Sequence, residues 1–257
     1  MTKKFKELTD SRWAAISPYL DVKRKRKLDL RTIINALLYM VRTGCQWRNL
    51  PKSYPSWRAV NYYFEKWRRE GTFIKINETL NQLYRKQVGR EPFPSLLCID
   101  SQSVKLTPMI HEHRGIDANK KVNGRKRQFL VDTAGRIWRV LSHAAHGHDG
   151  KASQPIVDDL SAIDFRLKKF LGDEAYKKSF AEKVAQKGFE FERASRPESA
   201  KGFVPIAKRW VVERTIAWTN FFRRIVKDYE YTLLSSAIWV ILANSTIILQ
   251  RLFPNSE

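Results

Sequence analysis

The apolar positions of the first 90 residues recur at intervals of three and four, the spacing of one face of an α-helix. Trp13, Ile16, Tyr19 and Leu20 follow Thr9, a residue suited to cap a helix N-terminus. Ile33, Ile34, Leu37, Leu38 and Val41 form a second stripe, opened by Asp29 and closed by Gly44. Residues 47–55 hold two prolines and predict an irregular connector. Ser56 caps a third helix with Val60, Tyr63, Phe64 and Trp67 on its apolar face, ending at Gly71. Thr72 opens a fourth that runs to about Val88.

The stretch Arg90-Glu91-Pro92-Phe93-Pro94-Ser95 predicts a domain boundary. After it the pattern turns to short apolar runs. Residues 96–99 read as a strand ending in Asp100, and residues 128–132 and 137–142 as two strands joined by a hairpin at 133–136. Residues 170–171 form a further strand ending at Gly172-Asp173, and residues 189–193 another. Helices are predicted over 152–164, 175–187 and 207–227, with an apolar helix at the C-terminus. The expectation is an α/β chain: an all-α domain over residues 1–90, then a mixed sheet flanked by helices over residues 95–257. The most apolar window, residues 233–249, contains Ser235, Ser236, Asn244, Ser245 and Thr246 and falls short of the roughly 20 residues a membrane span needs. It predicts a buried helix and no membrane partner. The first ten residues lack an apolar signal core, so a cytoplasmic protein is expected.

Charge narrows the class of partner. Lys and Arg number 48 against 26 Asp and Glu, a formal net charge of +22 over 257 residues. With 43% hydrophobic and 12% aromatic residues the chain is not a disordered polycation. Such a surface suits nucleic acid better than small neutral metabolites. The excess is spread over both parts: 21 cationic residues against 8 acidic over residues 1–94, and 27 against 18 over the rest. The third helix presents Arg58, Asn61, Lys66 and Arg69 opposite its apolar stripe, as the recognition helix of a helix-turn-helix would. The run Lys23-Arg24-Lys25-Arg26-Lys27 is expected to meet phosphates. So is a basic hairpin around Gly124 carrying Lys120, Lys121, Arg125, Lys126 and Arg127. Lys105, five residues after Asp100, is expected either to touch a nucleic-acid strand or to be a plain solvated lysine. Two cysteines, Cys45 and Cys98, exclude a disulfide scaffold and read as small buried hydrophobes. His143, His146, His148 and Asp149 read as a polar loop rather than a metal cluster. Trp138, Trp210, Trp218 and Trp239 read as core.

Three carboxylates stand out by context. Asp100 and Asp173 each follow an apolar strand, and Glu213 sits in a helix with apolar flanks. Each has a plain role open to it: a strand-end turn for Asp100, a helix cap for Asp173, an ion pair with Arg209 four residues earlier for Glu213. Brought together, they could instead hold two Mg²⁺ ions and act on a phosphodiester.

Several longer motifs, in order, bear on that choice. They are Leu8-Thr9-Asp10 with Trp13; Asn35-Ala36-Leu37-Leu38-Tyr39; and Arg42-Thr43-Gly44-Cys45-Gln46-Trp47-Arg48-Asn49-Leu50-Pro51. Then come Ile99-Asp100-Ser101-Gln102-Ser103-Val104-Lys105, Gly124-Arg125-Lys126-Arg127 leading into Leu130-Val131-Asp132-Thr133, Gly172-Asp173-Glu174-Ala175-Tyr176, Trp210-Val211-Val212-Glu213-Arg214-Thr215, and Arg223-Arg224 with Lys227-Asp228-Tyr229-Glu230. Together they resemble the DDE-type transposases of bacterial insertion sequences, in the insertion-sequence family five group, over nearly the whole chain.

The resemblance implies a ribonuclease-H-like catalytic core with Asp100, Asp173 and Glu213 as catalytic metal ligands, preceded by a helix-turn-helix-type DNA-binding domain. It implies Mg²⁺, with Mn²⁺ able to substitute, and double-stranded DNA as substrate: the terminal inverted repeats of the element and the target. It also implies a homodimer when DNA is bound, and a cytoplasmic, nucleoid-associated bacterial protein. Related transposases carry a Tyr-Arg-Glu-Lys signature on the helix of the glutamate. Arg209 matches its arginine, whereas Ile206 and Asn220 stand at the tyrosine and lysine; Arg223 or Arg224 is then expected to supply the charge to a phosphate. The implied reaction is cleavage at the element ends followed by joining of the 3′-hydroxyls to target DNA. A nuclease of the same core and a non-catalytic DNA-binding regulator are the alternatives.

Overall fold

The structure, a computed structural model, describes residues 5–22, 25, 27–160, 166–194 and 210–254. Four helices come first: α1 (Asp10–Ile16), α2 (Leu30–Thr43), α3 (Trp57–Arg69) and α4 (Thr72–Gln87). The first three are capped at their N-termini by the expected side chains, whereas α4 starts after Gly71 with no side-chain cap. Thr9 accepts from the Arg12 amide at 3.4 Å, Asp29 from the amides of Arg31 and Thr32 at 3.2 and 3.0 Å, and Ser56 from Ala59 at 3.4 Å. Gly44 closes α2 with φ of 73°, and a Cβ added there would lie 3.0 Å from the Cβ of Arg223. Both the left-handed backbone and the close neighbour call for glycine.

A mixed sheet follows, made of β1 (Leu96–Lys105), β2 (Gly115–Asp117), β3 (Val122–Asp132), β4 (Ile137–Ala144), β5 (Lys169–Gly172) and β6 (Glu190–Arg193). β3 is antiparallel to β1 on one side and to β2 and β4, placed end to end, on the other. β5 adds to the far edge of β1 in parallel, and β6 adds in parallel to β5. The three-residue β2 has no apolar run of its own and escapes a pattern reading. β1 is longer than its apolar run. It continues past Asp100 because β3 pairs with it from Leu97–Asp132 to Lys105–Gly124, and the ladder carries the polar residues along.

Alternation along the strands divides the interior in two. Leu97, Ile99, Leu130 and Phe170 face a layer with Ile156, Val157 and Tyr176 and with Phe180 and Val184 of α7 (Ser179–Gln186). Cys98, Phe129, Val131 and Leu171 face the other layer, which holds α2, α3, α4, α8 (Trp210–Thr219) and α10 (Leu233–Leu252). The helix expected over 152–164 is instead two single turns, α5 (Asp149–Ala152) and α6 (Pro155–Asp158); Pro155 has no N–H to continue the first, and residues 161–165 lie outside the described set. The helix expected over 207–227 is α8 and then α9 (Arg223–Val226), parted where the Phe222 amide turns back to the Thr219 carbonyl at 2.9 Å.

α10 is long and apolar enough to cross a membrane, but it is mostly buried inside the protein against α4, β4 and α2. Its polar side chains are met there: Asn244 donates to the Asn77 Oδ1 at 2.7 Å and accepts from the Ile137 amide at 3.4 Å. Trp239 stacks on Phe64 of α3 with centroids 4.7 Å apart, worth about 0.5–1.5 kcal/mol beyond its buried area. The N-terminal helices and the C-terminal helix therefore share one continuous core. Trp138 and Trp239 are core as expected. Trp210 is not: it is 42% exposed, and the Arg214 guanidinium lies over its ring and that of half-buried Trp218 at 4.2 and 4.6 Å.

Candidate active site

The β1–β5 register decides where two of the three carboxylates fall. Cys98 is level with Leu171 at the end of the β1–β5 ladder, and Asp100 and Asp173 each follow two residues later. The register offset equals the sequence separation of the two aspartates. A Cβ at Gly172 would lie 2.8 Å from Ile99 Cγ2, so the strands are still in close contact one residue before the pair. β5 ends there while β1 goes on, which leaves Asp100 half-buried at the mouth of the sheet rather than inside it. Asp100 accepts from the Ser101 amide at 2.7 Å. Asp173 caps a 3-10 turn (Glu174–Tyr176) through the Ala175 amide at 3.0 Å, the plain role open to it from sequence.

Glu213 reaches the same face of the sheet on α8. Val211 and Val212 pack into the layer that Cys98 and Leu171 face, and Asp100 and Asp173 each lie two residues further along those strands. At the other end of the helix Asn220 accepts from Gln102 Nε2 at 3.0 Å. Gln102 is two residues past Asp100, on the same side of β1. Asn220 lies seven residues after Glu213, nearly in line with it along the helix. Asn220, the departure at the signature's lysine, is thus tied to the strand of Asp100. Glu213 is exposed. Among the described residues, no three His, Cys, Asp or Glu side chains are arranged to hold one metal ion. The two aspartates thus follow neighbouring parallel strands, and Glu213 stands on a helix packed against β1 and β3.

A buried polar chain backs this edge. The Tyr176 hydroxyl donates to Gln128 Oε1 at 2.6 Å, and Gln128 Nε2 donates to Asp149 Oδ1 at 2.8 Å and lies 3.0 Å from His143 Nε2. Lys126 bridges Asp149 at 3.2 Å and Asp117 at 3.6 Å. Burial, then the charges of Asp149, Asp100 and Asp173, push the Tyr176 phenol well above its usual range. Negative charge therefore gathers at the end of β5, and its donors are hard carboxylate oxygens of the kind that suit Mg²⁺. Sequence reading missed Tyr176, Gln128 and Asp149 as members of this edge. Tyr176 carried the only signal, its place three residues after Asp173. His143 sits on β4 rather than in a loop and is engaged in the chain just described.

The expected phosphate contacts divide sharply. Arg58, Arg69, Lys105, Lys120, Lys121 and Arg223 are exposed, as is Lys25; Asn61 and Lys66 are half-buried, Lys66 lying 3.9 Å from Glu70. Lys23, Arg24, Arg26 and Arg209 lie outside the described residues. Arg125, Lys126 and Arg127 do not form an exposed hairpin. They lie on the central strand β3, fully or nearly buried. Arg125 donates to the carbonyls of Glu230, Glu112 and Tyr231 at 2.6, 2.8 and 3.1 Å, and Arg127 to that of Ile225 at 2.6 Å. Both face Asp228, at 3.4 and 3.6 Å. Arg224 is likewise buried, bonded to Glu230 at 2.7 Å and to the Cys45 carbonyl at 3.1 Å. These four are corrections: their charge is spent inside the fold, because desolvated guanidinium and ammonium groups need internal acceptors. Between Arg223 and Arg224, only Arg223 remains at the surface.

Carboxylates that follow neighbouring strands, in a basic mixed α/β chain, suit a metal-dependent enzyme acting on phosphodiesters. Comparison with known families agrees. A family of IS4/5 transposases matches residues 8–77, and the transposase DDE domain family matches residues 91–247. The chain belongs to the DDE transposases of the IS4/5 type; it is a DNA transposase and a metal-dependent enzyme. It is also 32% identical over 110 residues to an uncharacterized protein, y4sN, of Sinorhizobium fredii, a stretch that spans 41% of this chain and 78% of that one.

Proposed function

We propose that the chain binds the terminal inverted repeats of its own insertion sequence, cleaves the phosphodiester bonds at the ends and joins the 3′-hydroxyls to target DNA. The observation that supports this is the β1–β5 register, whose offset of 73 residues is also the separation of Asp100 and Asp173, with the helix of Glu213 packed against β1 and β3. These three side chains are the proposed holders of divalent metal, with Mg²⁺ the fitting ion for an all-carboxylate set and Mn²⁺ its substitute. Bound there, the metal supplies activation of the attacking oxygen and stabilisation of the leaving one.

The chain's own residues do the rest. β1 and β5 hold two carboxylates in fixed register, and α8 presents the third. Four antiparallel strands, two of them end to end, with two parallel ones on the β1 edge support a ribonuclease-H-like core over residues 95–257. The exposed Arg58 and Arg69, with Asn61 and Lys66 beside them, support α3 as the major-groove helix of an N-terminal DNA-binding domain over residues 1–90. Two ends must be held for joining, so a homodimer on DNA belongs to the reading, as does a bacterial cytoplasmic, nucleoid-associated location.

The test uses duplex DNA carrying the element's ends, with and without Mg²⁺. Cuts at the repeat boundary that need the ion, followed by joined products, are expected. Asp100→Asn, Asp173→Asn and Glu213→Gln should each slow cutting about a thousandfold or more, the rate equivalent of several kcal/mol, while binding the ends normally. Normal cutting by any of the three removes that residue from the site. Cutting without joining makes the protein a nuclease, and tight binding with no cutting in either ion makes it a regulator.

A further inference from the structure

Between α8 and α10 the chain presents an outward face with its own chemistry. Phe221, Val226, Tyr229 and Tyr231 are 67%, 52%, 50% and 64% exposed, and Arg223 is exposed with them. Four large apolar side chains are thus exposed within one short segment, and where such side chains gather they mark an interaction site. Lys227 lies over the Tyr229 ring at 5.6 Å. The acidic residues of the segment are turned away: Asp228 is buried against Arg125 and Arg127, and Glu230 is paired with Arg224. What remains outside is aromatic and cationic, bounded at the Tyr231 end by the exposed Glu112.

The segment is held rather than loose. Buried residues alternate with the exposed ones: Phe222, Arg224, Ile225 and Asp228 point in. Asp228 lies against the end of β1, its amide donating to the Lys105 carbonyl at 2.9 Å and its carbonyl accepting from Thr107 at 3.0 Å. Arg42 of α2 donates to the Phe221 carbonyl at 2.7 Å. The segment begins at Asn220, which is bonded to Gln102 two residues past Asp100. It therefore leads away from the carboxylates along the end of β1, with exposed Lys105 beside it.

We propose that Phe221, Tyr229 and Tyr231 form a stacking surface for unpaired bases of the DNA strand leaving the active site, with Arg223, Lys227 and Lys105 on its phosphates. Aromatic rings held beside cations bind single strands with little regard to sequence, since every base has a π-face. Charge complementarity selects this occupant over a protein segment, because the exposed charge of the strip is positive. The inference rests on the DNA transposase reading above and adds a single-strand site to it.

The test measures anisotropy of a labelled mixed-sequence single-stranded 20-mer, and separately of a terminal-repeat duplex, on the full chain at several salt concentrations. Stacking persists at salt that weakens phosphate contacts. The combined Phe221→Ala, Tyr229→Ser, Tyr231→Ser variant should lose about tenfold or more in single-strand affinity at high salt and keep its duplex affinity. Because these side chains are exposed, circular dichroism should show an unchanged fold. Equal loss on both DNAs, or no loss on either, overturns the stacking surface. So does a drop from dimer to monomer on sedimentation with unchanged single-strand binding, which would make the strip a self-association face. A chain that binds neither DNA overturns the transposition reading itself; one that binds only the duplex overturns this proposal alone.

Discussion

Arg125, Lys126 and Arg127 on β3 and Lys105, Arg223 and Lys227 at the end of β1 lie in one part of the molecule, yet their charges have opposite fates. The first three are buried, and each has a carboxylate: Asp228 between the two arginines, Asp149 and Asp117 around the lysine. The second three stand outside or half outside, over a segment whose own carboxylates have turned inward. Of the first set, the two arginines hold the sheet to the 221–231 segment and the lysine ties it to Asp117 and Asp149. The second set is left for an outside anion. A net charge of +22 thus overstates neither region, but it cannot say which cations are spent within the fold.

Breaking the inner set should have the largest effect. Arg127→Met leaves Asp228 buried with one cation fewer and removes the bond to the Ile225 carbonyl; a loss of about 3–5 kcal/mol in denaturant unfolding is expected. A loss below about 1 kcal/mol would mean the pair does not hold the fold. Gly44→Ala comes next, at about 1–2 kcal/mol, because it forces a left-handed φ and crowds Arg223 where α2 meets the outer segment.

A smaller effect depends on pH. Burial holds the His143 imidazole below its ordinary value of 6.5. The unfolded chain takes up its proton near that pH and the folded chain only lower down, so stability should fall as pH drops below about 6.5 until the folded imidazole is protonated as well. His143→Gln should flatten that part of the unfolding profile, and an unchanged slope would discount the buried imidazole. The outer set should matter least to stability. Arg58→Gln and Arg69→Gln should each change unfolding by less than about 0.5 kcal/mol. Each should also lower the slope of log affinity against log salt by about one on terminal-repeat duplex. A large stability loss with an unchanged slope would place them in the fold rather than on DNA.

Helix caps at Thr9, Asp29 and Ser56, the Gly44 stop and the buried C-terminal helix were all legible in the chain, because caps and 3.6-residue stripes are local. The polar half of β1 and the whole of β2 were not, since partners remote in sequence make those strands. The carboxylates stood out as residues by their apolar flanks, and only the family resemblance proposed them as a set. That the two aspartates follow neighbouring strands was not legible: it rests on β5 pairing with β1 at an offset of 73 residues. Arg125 and Arg127 read like any surface cations, because the Asp228 that neutralises them lies about a hundred residues away.

The sequence by itself determined the class of partner, through net charge, and the class of enzyme, through motifs short enough to read locally. Only the tertiary structure decided which carboxylates follow neighbouring strands and which arginines are interior. It also decided that one aromatic, cationic segment is presented outward past the end of β1. Those outcomes depend on register and on burial, and both are set by contacts between residues far apart in the chain.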